Sequence, residues 1–300
     1  MVTRPHPAMS ATPAAHPAVR RPCVRLRLGE EVVDVGRRPL VMGILNRTVD
    51  SFFDRGAHFA LDAFLAQAER LVAGGADLLD VGARAAGVGT RDVGEAEETD
   101  LVAESVEALR SRFDVPISVD TWRASVAAAA FAAGAVVGND LSGFSDPAYL
   151  PAAAAAGATV VATHMRLAPQ VPDPDPVYGD VVEDVAAALA ALVVRARAAG
   201  LADDQIAVDP GLDLGKTWRQ SVQLLAAVSR FVEIGPAVLV APSNKIFLGR
   251  LLGLERHERG DATVAACTAA LLQGARIIRV HDARAGRQAA DLVAALLDGA

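Results

Sequence analysis

The feature that most constrains the fold is a regular alternation of two kinds of segment from about residue 38 onward. Short runs of Val, Ile and Leu, typical of buried strands, are each followed by a longer Ala- and Leu-rich segment with the period of a helix. This pair recurs about every 25 to 45 residues, which is the pattern of βα units and a parallel sheet. Eight such units in about 260 residues predict an α/β fold, the (β/α)8 TIM barrel.

A short N-terminal β-hairpin is predicted before the first barrel strand, because Val24–Leu28 and Val32–Val35 flank Gly29. The alternative to a barrel is an open doubly wound sheet, which favours a glycine-rich turn after its first strand. Residues 46–50 contain no glycine, and Gly87-Val88-Gly89 in the second loop is too short a match to count. The helical period predicts helices that include Leu61–Val72, Ala96–Arg112, Ser125–Ala133, Val181–Ala199, Ser221–Val232, Asp261–Leu272 and Ala285–Leu297.

Every predicted barrel strand runs into a polar residue. In chain order these strand ends are Asn46, Asp80, Asp120, Asn139 with Asp140, His164, Asp209, Lys245, and Arg279 with His281. The C-terminal ends of barrel strands meet at one mouth, where the active sites of this fold lie. Polar side chains at the ends of buried strands need partners or water, and a shared ligand cavity would satisfy them together.

These strand ends predict a ligand with two chemically different parts. Asp120, Asn139 and Asp209 offer hydrogen-bond acceptors and an amide, which suit a flat heterocycle with adjacent N–H donors. Lys245, Arg279 and His281 follow the seventh and eighth strands, where barrels often bind phosphate. The residues alone therefore point to an aminated heterocycle that bears a phosphate or diphosphate.

Composition and charge restrict the kind of protein that this sequence can be. Residues 1–22 are a Pro-, Ala- and His-rich tail that we expect to be disordered, and residues 23–300 are expected to form a single domain. No hydrophobic signal region and no apolar run near the roughly 20 residues that span a bilayer are present, so a cytoplasmic protein without a membrane partner is expected. The net charge of -7 gives no basic footprint for nucleic acid. Cys23 and Cys267 have no paired-ligand spacing, which argues against a disulfide framework and a zinc site.

An ordered set of segments makes the chemistry more specific. It begins with Met42-Gly43-Ile44-Leu45-Asn46, Thr48 and Asp50-Ser51-Phe52, and continues with Ile117–Thr121, Asn139-Asp140, His164-Met165, Tyr178–Val182, Asp209-Pro210-Gly211, Gly215-Lys216, Ser243-Asn244-Lys245 and Arg279–Asp282. Each segment alone is a weak signal, but together they resemble the dihydropteroate synthase family in the family's own order. The resemblance covers about residues 38 to 298.

The resemblance implies a (β/α)8 barrel, usually a homodimer, that joins p-aminobenzoate to 6-hydroxymethyl-7,8-dihydropterin diphosphate and releases diphosphate. It implies that Asp120, Asn139, Asp209 and Lys245 hydrogen-bond the pterin and that Arg279 lies against the pterin ring. It places Asn46, Arg279 and His281 around the diphosphate and its Mg²⁺, with Asn46 as a metal ligand. Three further residues are expected to contact substrate: Asp50, Met165 and Arg84.

The departures from the family pattern fall mainly on the side of the second substrate. The second-strand loop, residues 80–89, lacks the Ser-Thr-Arg-Pro-Gly segment that helps form the p-aminobenzoate pocket in the family, and Arg84 or Arg91 is the candidate replacement for its arginine. Ile246 stands where the family has a serine that contacts the p-aminobenzoate carboxylate. Other changes are Arg47, Val49, Leu214 and Ser221.

Three functions follow as hypotheses. The first is a dihydropteroate synthase, supported by the retained pterin residues. The second is a pterin-binding paralogue that lacks this activity, as in a divergent second-copy branch in actinobacteria that the sequence resembles. The third is an enzyme on the same barrel that uses another acceptor, in which Arg47 and Arg84 would read a different acid.

Overall fold

The computed structural model describes residues 24–47, 57–83 and 93–298, with side chains of the second segment described from residue 61. Eight parallel strands, β3 to β10, form a closed barrel in which β10 pairs with β3, and this confirms the predicted TIM barrel. The barrel strands are β3 (Leu40–Asn46), β4 (Leu78–Gly82), β5 (Ile117–Asp120), β6 (Val137–Asp140), β7 (Thr159–Thr163), β8 (Ile206–Asp209), β9 (Ala237–Val240) and β10 (Ile277–Val280).

The predicted hairpin is confirmed and covers the N-terminal end of the barrel. Its strands are β1 (Arg25–Leu28) and β2 (Glu31–Asp34), which pair antiparallel. Leu26 and Leu28 are buried in the same apolar cluster as inward-facing residues near the strand starts, Leu40 and Ile277 among them. The hydroxyl of Thr159, the first residue of β7, donates to the Arg27 carbonyl at 2.5 Å. The hairpin therefore closes the end of the barrel opposite the predicted mouth.

Helices connect the strands and cover the outside of the barrel. They are α1 (Ala57–Ala73), α2 (Glu95–Arg110), α3 (Ala124–Ala133), α4 (Tyr149–Ala155), α5 (Val181–Ala198), α6 (Trp218–Ala226), α7 (Val228–Val232), α8 (Ile246–Leu252), α9 (Gly260–Leu272) and α10 (Ala283–Asp298). The segment predicted as one helix from Ser221 to Val232 is two helices, because the backbone of Ala227 leaves the helical region at φ -115°, ψ 25°. Within the described residues, no helix is long and apolar enough to cross a membrane.

Side chains alternate strictly between the inside and the outside of the barrel, as the two-residue period of a strand requires. Outward residues such as Val81, Val119 and Val280 pack under the helices. Inward residues near the strand starts, such as Met42 and Leu239, form the apolar lower core with the hairpin. The upper half of the interior is polar, and this change along the barrel axis defines the mouth.

One predicted strand end is wrong. Asp80 does not end its strand, because β4 continues through Val81 to Gly82 and Asp80 pairs in register with Ile44 and Ser118. The sequence shows only Leu78-Leu79 before the aspartate, so the strand looks two residues shorter than it is. Asp80 is instead an interior residue with no exposed surface.

Candidate active site

The mouth of the barrel contains a network of charged and amide side chains centred on Arg279 of β10. Its Nε donates to Asp80 Oδ2 at 2.6 Å, and its Nη2 donates to Asp120 Oδ2 at 2.5 Å. A buried guanidinium needs such partners, because removing one of them leaves an uncompensated charge. The two ion pairs link three strands of the barrel and fix the plane of the guanidinium group.

Asn139 of β6 joins the same network. Its side-chain Nδ2 donates to Asp80 Oδ2 at 3.0 Å, so one carboxylate oxygen accepts from both Asn139 and Arg279. Asn139 is paired in register with Asp120 on the neighbouring strand, and both face the interior. Three of the predicted pterin-contacting residues, Asp120, Asn139 and Arg279, therefore lie in one connected group.

Asp120 has a strongly perturbed acidity. Burial raises its pKa to about 7, and the neighbouring Asp80 carboxylate adds to that rise, while the Arg279 guanidinium opposes it. A carboxyl group that titrates near neutral pH can change its charge when a ligand binds. Asp120 is therefore the side chain of the network whose protonation a ligand can control.

Asp209 and Lys245 form a second part of the mouth. Asp209 Oδ1 accepts a hydrogen bond from the Gly211 backbone at 2.7 Å, and Lys245 Nζ donates to the Leu212 carbonyl at 2.5 Å. Burial raises the pKa of Asp209 and lowers the pKa of Lys245, and the attraction between the two groups opposes both shifts. Within the described part of the chain, the second oxygen of Asp209 and the remaining protons of Lys245 have no hydrogen-bond partner, so they are available to a ligand.

The turn after β8 shapes this part of the site because Gly211 has a φ of +68°. A Cβ atom at this position would lie 2.1 Å from the His164 carbonyl oxygen, so the close approach of two loops requires glycine. The same two loops are joined by Lys216, whose Nζ donates to the carbonyl oxygens of His164 and Leu214 at 3.0 and 2.9 Å.

His164 and Lys216 hold each other rather than facing the mouth as free groups. Lys216 Nζ lies 2.9 Å from His164 Nδ1. Burial is the main cause that lowers the pKa of His164 to about 3, and the positive charge of Lys216 lowers it further. Burial also lowers the pKa of Lys216 to about 7, against the attraction of Asp209. The pair connects the ends of β7 and β8, and the positive charge of Lys216 favours the ionised form of Asp209.

His281 follows β10 and is held by Ser243. The Ser243 hydroxyl lies 2.8 Å from His281 Nδ1 and accepts from the His281 backbone N–H at 3.2 Å. His281 is exposed at the mouth, and loss of water around its ring together with the guanidinium groups of Arg279 and Arg256 lowers its pKa to about 4. The imidazole is therefore neutral near pH 7, and its Nε2 remains available to an anion.

Asn46, the last residue of β3, reaches the same mouth. A Cβ atom at Gly82 would lie 3.4 Å from both Asn46 Oδ1 and Asp120 Cβ, so the missing side chain leaves open space between them. Asn46 is exposed, and its side chain has no hydrogen bond to the described residues. Its side chain is therefore available to a ligand at the mouth.

The other residues predicted for the site have different outcomes. Asp50, Arg84, Arg91 and Val49 lie outside the described residues, so their predicted roles stay predictions. Met165 is partly exposed beyond the end of β7.

The hypothesis that Arg47 reads an acidic substrate is wrong. Because Asn46 faces inward, the next side chain faces outward, and Arg47 is buried under α1 and α2. Its Nη1 donates to Ser105 Oγ at 3.1 Å and forms an ion pair with Glu104 at 2.8 Å. Its guanidinium group also lies 5.9 Å from the centre of the Phe64 ring. Arg47 therefore anchors the end of β3 to the helices.

The comparisons with known proteins agree with this geometry. A sequence model of the family described as pterin binding enzyme matches residues 42–281. The chain belongs to the pterin-binding enzyme family. The dihydropteroate synthase of Synechocystis sp. is 38% identical over 273 residues, which are 90% of this chain and 94% of that protein. A Mycobacterium leprae protein named inactive dihydropteroate synthase 2 is 43% identical over 265 residues, 86% of this chain and 91% of that protein.

A solved member of the pterin-binding family has the same architecture. The structure of Xanthomonas albilineans dihydropteroate synthase with 4-aminobenzoic acid superimposes with a TM-score of 0.84 at 37% identity. The match covers 92% of this chain and 98% of that chain. The network around Arg279 therefore lies at the mouth of a barrel of the pterin-binding family.

Proposed function

We propose that this protein is a dihydropteroate synthase, a transferase that condenses 6-hydroxymethyl-7,8-dihydropterin diphosphate with p-aminobenzoate and releases diphosphate. The observation that carries the proposal is the set of acceptors and cations in the mouth: Asp120, Asn139, Asp209, Lys245 and Arg279. Four of these residues lie on strands of the barrel and Lys245 lies in the loop after β9, so all five meet at the mouth of a barrel of this family.

The pterin ring would be recognised by acceptors that have no partner among the described residues. Asp120 and Asp209 each use one carboxylate oxygen in the bonds described above, so each can offer the other to a ring N–H. The pterin ring carries an amino group beside ring N–H groups, and two well-spaced carboxylates match such donors. Lys245 would supply a donor for a ring acceptor, and Arg279 would lie against the ring.

The diphosphate would be stabilised by positive charge on one side of the mouth. Arg279 keeps one Nη group outside its two ion pairs, and His281 keeps Nε2, so both can donate to phosphate oxygens. In this proposal the C–O bond to the diphosphate breaks and its electrons leave with the diphosphate. The arylamine nitrogen then forms a bond to the resulting cationic methylene carbon of the pterin and loses one proton to solvent. Support of the negative charge that develops on the leaving group is the main task of the site.

Mg²⁺ fits this proposal as a cation that arrives with the diphosphate. Among the described residues, no group of three or more His, Cys, Asp or Glu side chains could hold a metal ion. Asn46 offers one amide oxygen at the rim, which suits a cation whose other ligands are phosphate oxygens and water. Bound Mg²⁺ would neutralise charge on the diphosphate, and Asn46 would orient the complex.

A second candidate function is a pterin-binding paralogue without synthase activity or with a different acceptor. It is favoured by the 43% identity to the Mycobacterium leprae protein named inactive dihydropteroate synthase 2. It is also favoured by Ile246, which follows Lys245 directly and is 62% exposed, so that an apolar side chain stands where a carboxylate of the acceptor would need a donor.

Two measurements separate the candidates. Purified protein with Mg²⁺, the pterin diphosphate and p-aminobenzoate should form dihydropteroate, with an active homologue as the positive control. Calorimetric titration with the pterin diphosphate alone measures the pterin site independently. Binding without product formation would support the paralogue, and absence of binding would contradict both candidates.

We also propose a homodimer located in the cytoplasm. Large apolar side chains are exposed on α8 and α10, among them Leu252, Leu292 and Leu296, and packing them against a second copy of the chain would remove apolar surface from water. Sedimentation equilibrium should give a mass near twice 31.0 kDa, and a monomer at micromolar concentration would contradict this part of the proposal.

A further inference from the structure

Asp80 occupies a central position that its place in the sequence did not reveal. It is fully buried in the barrel interior, and its Oδ2 accepts from Asn139 Nδ2 at 3.0 Å and from Arg279 Nε at 2.6 Å. Its Oδ1 has no hydrogen-bond partner among the described residues. Asp80 therefore touches two residues of the mouth while lying below the surface that a ligand would contact.

The contact with Asn139 decides which end of that amide faces a ligand. An asparagine side chain has one donating nitrogen and one accepting oxygen. Because Nδ2 donates to the Asp80 carboxylate, Oδ1 is directed away from it and serves as an acceptor. The flipped amide would bring its oxygen against a carboxylate oxygen, which is unfavourable in a buried site.

The contact with Arg279 decides the orientation of the guanidinium group. Nε is held by Asp80 and Nη2 by Asp120, so the planar fork is fixed at two points and Nη1 is left outside both ion pairs. A preorganised donor of this kind needs no reorganisation when an anion arrives.

We propose that Asp80 is a positioning residue that sets the hydrogen-bond pattern of the mouth, making Asn139 an acceptor and aiming Arg279 at the anion. The proposal rests on the proposed pterin-binding function. It implies that the site selects ligands that present an N–H group to Asn139, although Asp80 itself does not touch them. A purely structural ion pair would instead affect stability and leave ligand affinity unchanged in the folded protein.

The first test compares substitutions at Asp80 with a matched control at the opposite end of the same strand. Asp77 lies just before β4, is mostly buried, and forms ion pairs with Arg38 and Arg287. Asp77→Asn therefore removes a similar carboxylate, which is bonded to two arginines and to the Val41 backbone N–H at the end of the barrel far from the mouth. The variants Asp80→Asn, Asp80→Ala and Asp77→Asn are titrated with the pterin diphosphate, and their thermal unfolding is recorded.

The expected order of affinity for the pterin diphosphate depends on whether position 80 still offers an oxygen to Asn139 and Arg279. Asp80→Asn keeps an oxygen for Asn139 and Arg279 but removes the charge that balances the buried guanidinium group, so it should lose less affinity than Asp80→Ala. Asp80→Ala removes that oxygen and should bind at least about tenfold more weakly. Asp77→Asn should bind normally even if it unfolds at a lower temperature. Normal affinity in Asp80→Ala, or an equal loss in Asp77→Asn, would overturn the proposal.

A substitution on the other side of the contact tests the amide orientation. Asn139→Asp still presents an oxygen to the ligand, but it places two carboxylates in contact, which should weaken pterin binding above neutral pH. Unchanged affinity in Asn139→Asp would count against the proposal.

A measurement without ligand separates this inference from the proposed function. The side-chain amide protons of Asn139 should exchange slowly in the original protein and in Asp77→Asn, and faster in Asp80→Ala, when followed by NMR. If the protein bound no pterin, the proposed function would fail, but the exchange rates would still show whether Asp80 holds the Asn139 amide. Equal exchange rates in Asp80→Ala and the original protein would show that Asp80 does not hold the amide.

Discussion

Single residues in this barrel differ in function according to which face of a strand they occupy. Asn46 and Arg47 are adjacent in sequence, yet Asn46 lies at the mouth and Arg47 is bonded to Glu104 of α2. The two-residue period of a strand explains the difference. The roles of charged residues near a strand end therefore follow from their register, and the predictions at this scale concern two inward-facing aspartates.

Asp209→Asn should reduce pterin affinity by at least about a hundredfold, because an amide replaces one of two acceptors by a donor. One oxygen is required by the Gly211 N–H, so the NH2 group must face the ligand or oppose the backbone donor. Calorimetric titration measures the effect. Asp203→Asn is the control, since Asp203 precedes the other end of β8 and is paired with the exposed Arg197. Unchanged affinity in Asp209→Asn would refute the role of Asp209.

Asp120 should release a proton when pterin binds below neutral pH. Its pKa is raised to about 7, so at pH 6 the free protein holds most of one proton on this carboxyl. Ring N–H donors favour the ionised form, which lowers the pKa in the complex, and the affinity should therefore increase as the pH rises through about 7.

The proton release can be measured by calorimetry in buffers of different ionisation enthalpy. The ligand should be a pterin without diphosphate, because His281 has its pKa lowered to about 4 and could take up a proton beside an anion. Lys216, with a pKa lowered to about 7, also titrates in this range, so Asp120→Asn serves as the control. Equal proton release in Asp120→Asn and the original protein would assign the effect to another group.

The sequence predicted most of the strands and helices, but it missed the end of one strand and several short helices. The eight barrel strands follow from short apolar runs, because the strands of a parallel barrel are buried. The hairpin follows from two short apolar segments that flank Gly29. The end of β4 could not be predicted, because a buried aspartate inside a strand is tolerated only with the partners that Arg279 and Asn139 supply from strands distant in sequence. The break between α6 and α7 and the seven-residue helices α4 and α8 were likewise missed, since short helices depend on packing.

The turn after β8 gives a prediction at this scale. Gly211→Ala should destabilise the protein by roughly 2 kcal/mol or more, because the new Cβ atom meets the His164 carbonyl in addition to the cost of a positive φ. Gly157→Ala is a matched control, since Gly157 has a φ of +64° and no atom within 4 Å of the added Cβ. The difference between the two free energies of unfolding, measured with urea, isolates the clash, and equal values would contradict it.

The whole molecule divides along the barrel axis into an apolar end covered by the hairpin and a polar end that forms the site. The candidate site was predictable as a set of strand ends, because all parallel strands of a barrel point their C-terminal ends to one mouth. The pairing within that set was not predictable, since it depends on the stagger between strands and on side-chain reach, as in the bonds of Arg279 to Asp80 and Asp120.

This division predicts that stability and ligand affinity can be changed independently. Leu26→Ala in β1 removes a buried side chain from the cluster that closes the N-terminal end, and it should cost about 2 to 5 kcal/mol of unfolding free energy. Pterin affinity of the folded protein should stay within about twofold, because additivity holds for distant sites. Val32→Ala in β2 is the control, since Val32 is exposed.

Urea unfolding and calorimetric titration of the same three proteins test this. The result expected for Leu26→Ala is a lower midpoint of unfolding with an unchanged dissociation constant, while Val32→Ala changes neither by a measurable amount. A large loss of pterin affinity in Leu26→Ala would mean that packing at the hairpin affects the mouth through the barrel strands. Leu40 and Ile277 lie in the same cluster as the hairpin. Their strands, β3 and β10, end at Asn46 and next to His281. Retained affinity would instead confine the role of the hairpin to closing the core.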